Sequence, residues 1–316
     1  MPTYSVVIPV YNAERYLESC IHSVMEQNSS SACEIILVDD GSSDRSPQIC
    51  DGFAQQFPFV KVIHQVNQGV SAARNAGLSA AEGAYLLFLD GDDYWDDSLL
   101  QKLDAQLARN PDLIEFGYQY FDGHNDYEPT LPAVETAGMT GIGYFEAHKA
   151  QGCLPIGSSC TAAFRRQLLQ DHEIRFCVGV TYGEDLDFHM QCLKHAGAVV
   201  SIPEALYYYR RNEAGATRTP TVKKMRDMLT TCVKMYRLFP CAMFANYYCM
   251  KILNLERLPR SDAKQTYDIL RQNRDILRHV SGGKMRLICM LYRFFGWYGA
   301  SRLVQTGLRV RYKEKG

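Results

Sequence analysis

The chain has 316 residues, of which 47% are hydrophobic and 22% charged, as in a globular protein of one large or two smaller domains. No apolar run reaches the roughly 18 residues of a membrane span. The first residues, MPTYSVVIPVYN, lack the basic start and cleavage site of a signal peptide, so we expect a cytoplasmic protein. The 11 cysteines are scattered without a CxxC pair, which favours reduced, mostly buried thiols over a disulfide framework or zinc site.

The charge is distributed unevenly along the chain. Residues 1–220 carry 14 Lys/Arg and 29 Asp/Glu, a balance of −15. Residues 221–316 carry 20 Lys/Arg and 6 Asp/Glu, a balance of +14. Such a split predicts two parts with different partners.

The first 120 residues alternate between strand and helix patterns. Short apolar runs predict buried strands, and apolar residues at helical spacing predict helices between them. This alternation indicates a largely parallel sheet covered on both faces. The predicted strands span 5–10, 34–38, 60–64, 85–90 and 113–120, and the predicted helices span 16–27, 46–57, 70–81 and 98–110.

The alternation of strand and helix patterns stops over residues 121–150, where little periodicity remains. This segment is predicted to be a long loop or lid. From residue 158 a strand into Phe164 and a helix near 165–171 follow. A helical unit over 183–197 and strands at 199–202 and 206–211 complete this part. The basic part is predicted to be helical, with helices near 221–238, 241–257, 262–280 and 284–305.

Carboxylates follow two of the predicted strands. Asp39 and Asp40 end the second strand, and Asp90, Asp92 and Asp93 end the apolar run YLLFL. Ligands of open α/β sheets bind at the carboxyl ends of the strands. Mg²⁺ and similar hard cations take one or two protein carboxylates together with phosphate oxygens. Asp90 and Asp92 therefore predict a metal and phosphate site, and Asp39 and Asp40 could accept hydrogen bonds from a base and ribose, although a polar turn or helix cap would explain each of them alone.

Two later features complete such a site. Arg74 lies on the helix opened by Gly69 and is suited to an anion, or to a surface salt bridge. Glu184 and Asp185 open another helix after Gly183. They either cap that helix or supply a general base for an attacking hydroxyl.

Five segments, VVIPVYN, ILVDDGSSD, NQGVSAARNAG, YLLFLDGDDYW and GEDLDF, occur in this order between about residues 4 and 220. Together they resemble the family 2 glycosyltransferases. The resemblance implies an α/β GT-A fold, a Rossmann-like mixed sheet flanked by helices, over residues 1–220. Its nucleotide-sugar half would be 1–120 and its acceptor half 121–220, followed by a basic helical region over 221–316.

The resemblance also implies roles for individual residues. Asp185 would be the catalytic base, positioned or tuned by Glu184. Asp90 and Asp92 correspond to the DxD motif and would hold Mn²⁺ or Mg²⁺, whereas the family's His after the Tyr-Arg pair is missing from YRRNEAGAT at 209–217. Nucleotide binding falls to Pro9, Tyr11, Asn12, Asp39, Asp40, Gly69, Arg74, Asp90 and Gly91. Weaker sugar or acceptor candidates are Asp93, Trp95, Arg210 and Arg211.

The expected activity is inverting transfer of a hexosyl or N-acetylhexosaminyl group from a nucleotide sugar, with UDP favoured. The acceptor would be a glycan or polyprenyl-linked hydroxyl in bacterial cell-surface polysaccharide synthesis. Two alternatives stay open: an inactive homologue that binds glycan or acts as a scaffold, and a nucleotidyltransferase. The segment YNAERYL after the first strand disfavours the nucleotidyltransferase, because it lacks a Gly-rich basic loop.

The end of the chain combines charge with aromatic residues. Residues 281–316 hold eight Lys/Arg and one Glu among many apolar side chains. Such helices suit the surface of an anionic membrane, so the protein is expected to be peripheral at the inner face of the plasma membrane. Packing on the catalytic domain or on a second copy is the alternative. Nucleic acid is not an expected partner, since no recognised module accompanies the charge.

Overall fold

The computed structural model describes residues 2–122, 127–211 and 221–313, with side chains of the last helix up to residue 306. Internal contacts divide the chain into two units. The first unit comprises Met1–Gly179 and Glu184–Gly215, and the second comprises Val180–Gly183 and Ala216–Gly316.

One mixed sheet forms the centre of the first unit. Among the described residues it has nine strands in the order β3-β2-β1-β4-β8-β6-β9-β5, with β7 paired to β9. The strands β1 to β4 run parallel, and β8 pairs antiparallel with both β4 and β6. This confirms the mixed α/β sheet. The strands are β1 (Tyr4–Val10), β2 (Cys33–Asp39), β3 (Val60–His64), β4 (Tyr85–Phe88), β5 (Tyr94–Trp95), β6 (Leu113–Phe121), β7 (Ala137–Met139), β8 (Ala162–Arg165) and β9 (Val199–Arg210).

Helices flank this sheet. In the first of them, Leu17, Cys20, Ile21 and Val24 are buried at the spacing of one helical face, which explains why this segment folds as a helix against the strands. The helices of the first unit are α1 (Leu17–Met25), α2 (Ser46–Gln56), α3 (Val70–Ala80), α4 (Leu99–Asp104), α5 (Gly141–Ala150), α6 (Arg166–Asp171) and α7 (Glu184–His195).

The prediction of a continuous loop over 121–150 is wrong, because this segment contains β7 and α5. Thr140 caps α5 by accepting a hydrogen bond from the Gly143 amide. Gly141, at the start of this helix, has a packing reason: a Cβ there would lie 1.8 Å from the Leu193 carbonyl oxygen. The helix therefore needs glycine there to approach α7 closely.

The structure has one continuous strand, β9, where the sequence predicted two strands at 199–202 and 206–211. Its pairing with β6 shifts register between Phe116, Gly117 and Tyr118. This bulge accommodates the extra residues around Pro203 and keeps the ladder intact on both sides.

The second unit is helical. Its helices are α8 (Val222–Leu238), α9 (Ala242–Ile252), α10 (Arg260–Ala263), α11 (Tyr267–Gln272) and α12 (Gly283–Lys313). The helix predicted over 262–280 is instead broken into α10, α11 and 3₁₀ turns at Lys264–Thr266 and Arg274–His279. In α12, Gly296 has a non-helical backbone with φ 68° and ψ 172°, which kinks the helix. Within the described ranges, no helix is both long and apolar enough to cross a membrane.

Candidate active site

Three strand ends meet at one edge of the sheet. In the parallel register, Val10 lies opposite Asp39, and Asp39 lies opposite His64. The turn after β4 approaches β1 closely, since a Cβ on Gly91 would lie 3.3 Å from the Pro9 carbonyl oxygen. Tyr11 is 56% exposed at this edge. Parallel pairing thus gathers the segments that the sequence motifs singled out.

Asn12 connects the first two of these segments. Its backbone is left-handed, with φ 50°. Its amide donates to the Ser42 hydroxyl oxygen at 3.0 Å, and its side-chain oxygen accepts from the Ser43 amide at 2.8 Å. Asn12 therefore fixes the loop after β2 against the end of β1.

Asp39 and Asp40 are both buried and hold neighbouring loops. Asp39 accepts from the Ser42 amide and pairs with His64 at 3.0 Å, and the carboxylates of Asp39 and Asp51 raise the pKa of His64. Asp40 accepts from the Gln65 side chain and from the Gln68 and Gly69 amides at 2.7–2.9 Å. The carboxylates thereby fix the loops that border this edge, and direct contact of either with a base remains a prediction.

Arg74 connects the two halves of the site. One of its terminal nitrogens donates to Asp90 Oδ1 at 2.7 Å, and the other donates to Asp185 Oδ1 at 2.6 Å. The Arg74 side chain is only 2% exposed and lies 5.3 Å from the Phe176 ring centroid. The Arg74 guanidinium thus links Asp90 to Asp185, the expected base. It is buried and not exposed to a bound anion.

The acid pair at the start of α7 is electrostatically unequal. Asp185 accepts from both Arg74 and the Ser159 hydroxyl, at 2.6 and 2.7 Å, through the same oxygen, and its side chain is 31% exposed. Glu184 lies 3.8 Å from Arg74 and is less exposed. Burial, with the neighbouring charge of Asp185, raises the pKa of Glu184 to about 7. Asp185 is therefore the better placed to accept a proton from a ligand in solvent contact.

Asp90 and Asp92 fit the requirements of a hard divalent cation. The Asp90 side chain is 30% exposed and Arg74 bonds only its Oδ1, which leaves Oδ2 for a ligand. Asp92 stands two residues further along the same turn and is half-buried. The described residues form no preassembled cluster of three or more His, Cys, Asp or Glu ligands. A metal here would rely on one or two carboxylates completed by substrate phosphates, as Mg²⁺ sites commonly do.

Asp93 and Trp95, two of the weaker sugar or acceptor candidates, have little access to solvent, and contact of either with a ligand stays a prediction. Both are only 3% exposed. Asp93 accepts from the Tyr207 hydroxyl at 2.6 Å and from the Arg210 amide at 2.8 Å. Burial, together with the charges of Asp90 and Asp92, raises the pKa of Asp93 well above its usual value. Asp93 is thus a buried anchor that fixes β9 beneath the site.

The two arginines at the end of β9 have aromatic neighbours. Arg210 donates from Nε to the Asp92 carbonyl oxygen at 3.0 Å and lies 4.6 Å from the Tyr16 ring centroid. Arg211 lies 4.5 Å from the Tyr127 ring centroid. Arg210 therefore supports the turn that carries Asp92, and contact of either arginine with a ligand stays a prediction. Residues 212–217, where the family's His would stand, lie outside the described ranges.

Two site residues escaped the sequence reasoning. Ser159, in a 3₁₀ turn before β8, holds Asp185, and Tyr207 donates to Asp93. Ser159 belongs to the segment GSSCTAAF, in which no local pattern distinguishes a site serine from a turn serine. Only its distance in space from Asp185 identifies it.

Comparison with known proteins defines the class. The model of glycosyl transferase family 2 matches residues 5–173, more than half of the chain. The chain therefore belongs to this family, which confirms the resemblance. It is 34% identical to the glycosyltransferase EpsJ of Bacillus subtilis over 72% of this chain and 67% of EpsJ. It is 31% identical to the minor teichoic acid biosynthesis protein GgaA of the same species, over 66% of this chain and 47% of GgaA.

Solved structures agree on the fold. Residues 1–349 of S. aureus TarS in complex with UDP-GlcNAc superpose with a TM-score of 0.75 at 20% identity, covering 96% of this chain and 92% of that one. The mannosyltransferase PcManGT of Pyrobaculum calidifontis, in complex with GDP-Man and Mn²⁺, superposes with a TM-score of 0.58 at 17% identity, covering 96% and 83%. The GT-A-like fold followed by C-terminal helices is therefore confirmed.

Proposed function

We propose that this glycosyltransferase moves a hexosyl or N-acetylhexosaminyl group from a UDP-sugar to a hydroxyl of a glycan or lipid-linked acceptor, with inversion at the anomeric carbon. The relative TarS was crystallised with UDP-GlcNAc, which supports UDP as the nucleotide. GgaA takes part in teichoic acid biosynthesis, which supports a bacterial cell-surface polysaccharide as the product.

One observation carries this proposal. The buried Arg74 donates to Asp90 at 2.7 Å and to Asp185 at 2.6 Å. It thereby brings a carboxylate suited to a divalent cation on the donor diphosphate and a carboxylate suited to the acceptor hydroxyl into one cluster. Two such groups on opposite sides of a reacting carbon are what a single displacement requires.

Asp185 is proposed as the general base. Its Oδ1 is held by Arg74 and Ser159, so Oδ2 is the oxygen available to take the acceptor proton. As that proton moves to Asp185, the acceptor oxygen forms a bond to the anomeric carbon. The bond from that carbon to the diphosphate oxygen breaks on the opposite side, which inverts the configuration. The fixed hydrogen bonds keep the carboxylate oriented without reorganisation during the reaction.

Asp90 and Asp92 would hold Mn²⁺ or Mg²⁺, which supplies positive charge to a leaving diphosphate when bound. The chain itself contributes the preorganised turn: Arg74 orients Asp90, and Arg210 supports the Asp92 carbonyl. The turn at Gly91 keeps both acids near the end of β1.

The proposal is tested with the purified full chain, a panel of UDP-sugars and GDP-mannose, and Mn²⁺. Release of the nucleoside diphosphate reports transfer or slow hydrolysis. We expect Asp185→Asn to lower turnover by about 10²-fold or more, since a positioned general base contributes about that much. Asp92→Ala should abolish the Mn²⁺ dependence of release and weaken Mn²⁺-dependent stabilisation by UDP in thermal shift.

Asp171→Asn provides the matched control, because Asp171 is an exposed carboxylate at the end of α6, outside the site. It should behave as wild type in both assays. Turnover by Asp185→Asn within a few-fold of wild type would rule out Asp185 as the base. An inactive wild type with every donor, despite UDP stabilising the fold with Mn²⁺, would favour a binding homologue instead.

A further inference from the structure

The first part of α12 has one buried face. Ile288 is 3% exposed and Tyr292 is 5% exposed, four residues apart and so on the same side of the helix. The Tyr292 hydroxyl donates to the Cys249 carbonyl oxygen in α9 at 3.0 Å. These contacts fix which side of Gly283–Phe295 remains in solvent.

The solvent side of this segment is apolar over two turns. Leu287 is 51% exposed, Met290 49% and Phe294 72%. They stand at i, i+3 and i+7, which places them in one row along the helix. Phe295, 58% exposed, extends the row to the kink at Gly296. A contiguous apolar row of this kind marks an interaction surface more than isolated exposed side chains do.

Basic side chains border this row. Lys284, Arg286 and Arg293 are exposed on the same helix. Arg293 also lines a cavity of about 440 Å³ together with Arg274 and Arg278. The nearby Asp275 is already paired with Arg237 at 2.8 Å. Within the part of the chain that the structure describes, none of the three cavity arginines has an ion pair or side-chain hydrogen bond.

The chemistry of this surface indicates its partner. Three guanidinium groups around one cavity repel each other unless an anion lies between them, and the guanidinium fork matches phosphate oxygens. Apolar side chains beside such cations suit the boundary between headgroups and acyl chains. The region is basic as a whole, with 20 Lys/Arg and 6 Asp/Glu over residues 221–316. A partner without phosphates would provide no anion for the three arginines.

We propose that the exposed row of α12 docks on a bilayer of anionic phospholipids, with Arg274, Arg278 and Arg293 binding headgroup phosphates. The apolar row enters the interface beside them. This inference concerns the second unit alone and goes beyond the proposed transfer reaction. It predicts a surface that binds lipid whether or not a donor sugar is present.

Vesicle sedimentation of the full chain tests the proposal. We expect co-sedimentation with phosphatidylglycerol-containing vesicles and little with pure phosphatidylcholine vesicles, and the binding should weaken as salt rises. Each arginine near an anionic surface contributes about a fivefold factor. The triple variant Arg274→Gln, Arg278→Gln and Arg293→Gln should therefore bind about 100-fold more weakly.

A second triple variant, Arg257→Gln, Arg260→Gln and Lys264→Gln, removes the same charge from exposed positions elsewhere in the unit. It should retain most of the binding. The double variant Leu287→Ser and Phe294→Ser should also lose binding while keeping its charge. Circular dichroism checks the helical content of each variant, and nucleotide release checks that the first unit remains active.

Three results would overturn the proposal: no sedimentation of the wild type with anionic vesicles, equal binding to phosphatidylcholine, or equal losses in the two triple variants. Light scattering tests whether a second copy of the chain occupies this face instead. A dimer in solution that the double variant dissociates, without vesicle binding by the wild type, would assign this face to a second copy of the chain.

Discussion

Replacing Arg74 by methionine tests the electrostatic centre of the site. Methionine keeps much of the side-chain length but removes the cation between Asp90 and Asp185. Both carboxylates then lose a charge-assisted hydrogen bond of 2.6–2.7 Å. Because Arg74 is 2% exposed, water does not readily replace its guanidinium beneath the two acids.

The expected loss of stability follows from burial. Removing one partner of a buried ion pair costs about 3–5 kcal/mol. The side chains of Asp90 and Asp185 are 30% and 31% exposed, so solvent softens the penalty and the lower end applies. We expect the unfolding free energy to fall by about 3 kcal/mol, which lowers the melting temperature by about 6–12 °C in a unit of this size.

The chain has only two tryptophans, so fluorescence in a Trp297→Phe background reports on the first unit through the buried Trp95. Urea unfolding in that background compares Arg74→Met with Lys102→Met. Lys102 pairs with Glu204 at 2.8 Å, but the two side chains are 40% and 47% exposed, so its loss should cost about 0–1 kcal/mol.

A further variant tests whether Arg74 stabilises the fold through its two acids. Adding Asp90→Asn and Asp185→Asn to Arg74→Met should recover a large part of the lost stability, because no unpaired charges remain. If Arg74→Met unfolds with the same free energy as Lys102→Met, the reasoning about a buried bridging cation is refuted. A triple variant no more stable than the single one would assign the loss to packing instead.

Three further predictions concern groups around the same edge. The pKa of Glu184 is raised from 4.5 to about 7, so its ionisation disfavours the folded state, and the unfolding free energy should fall as pH rises across that interval; Glu184→Gln should flatten this fall in urea titrations. Asp93→Ala should lower the melting temperature, since the buried Tyr207 hydroxyl loses its acceptor at roughly 1–3 kcal/mol and the partly buried Arg210 amide loses one as well. Gly183→Ala, at φ 87° with Thr231 3.0 Å from the added Cβ, should lose more stability and nucleotide release than Gly179→Ala, at φ 85° with open space.

Each of these has a clear contrary result. An unchanged pH profile in Glu184→Gln would mean that another group titrates there. A wild-type melting temperature for Asp93→Ala would mean that water satisfies the two freed donors. If the two glycine variants lose equal stability, the cause would be the positive backbone φ alone and not the contact with Thr231.

Much of the fold follows from local sequence. Apolar runs such as that of β2 and the helical row Leu17–Val24 are set by side chains close together in the chain, and their burial is periodic. Gly141 of α5 is misleading in the sequence, because glycine is required there by the close contact with Leu193. A prediction based on neighbours along the chain has no information about that contact.

The sequence by itself determined the family, the alternation of strands and helices, and the acids that end β2 and β4. Parallel strands bring their carboxyl ends to one edge, so those acids had to converge. Only the tertiary structure decided their contacts: Arg74 meets Asp185 across 111 positions of chain, and Asp93 turns inward to β9. Charge and burial at such contacts depend on which distant segments pack together, and residue type and local periodicity do not specify that packing.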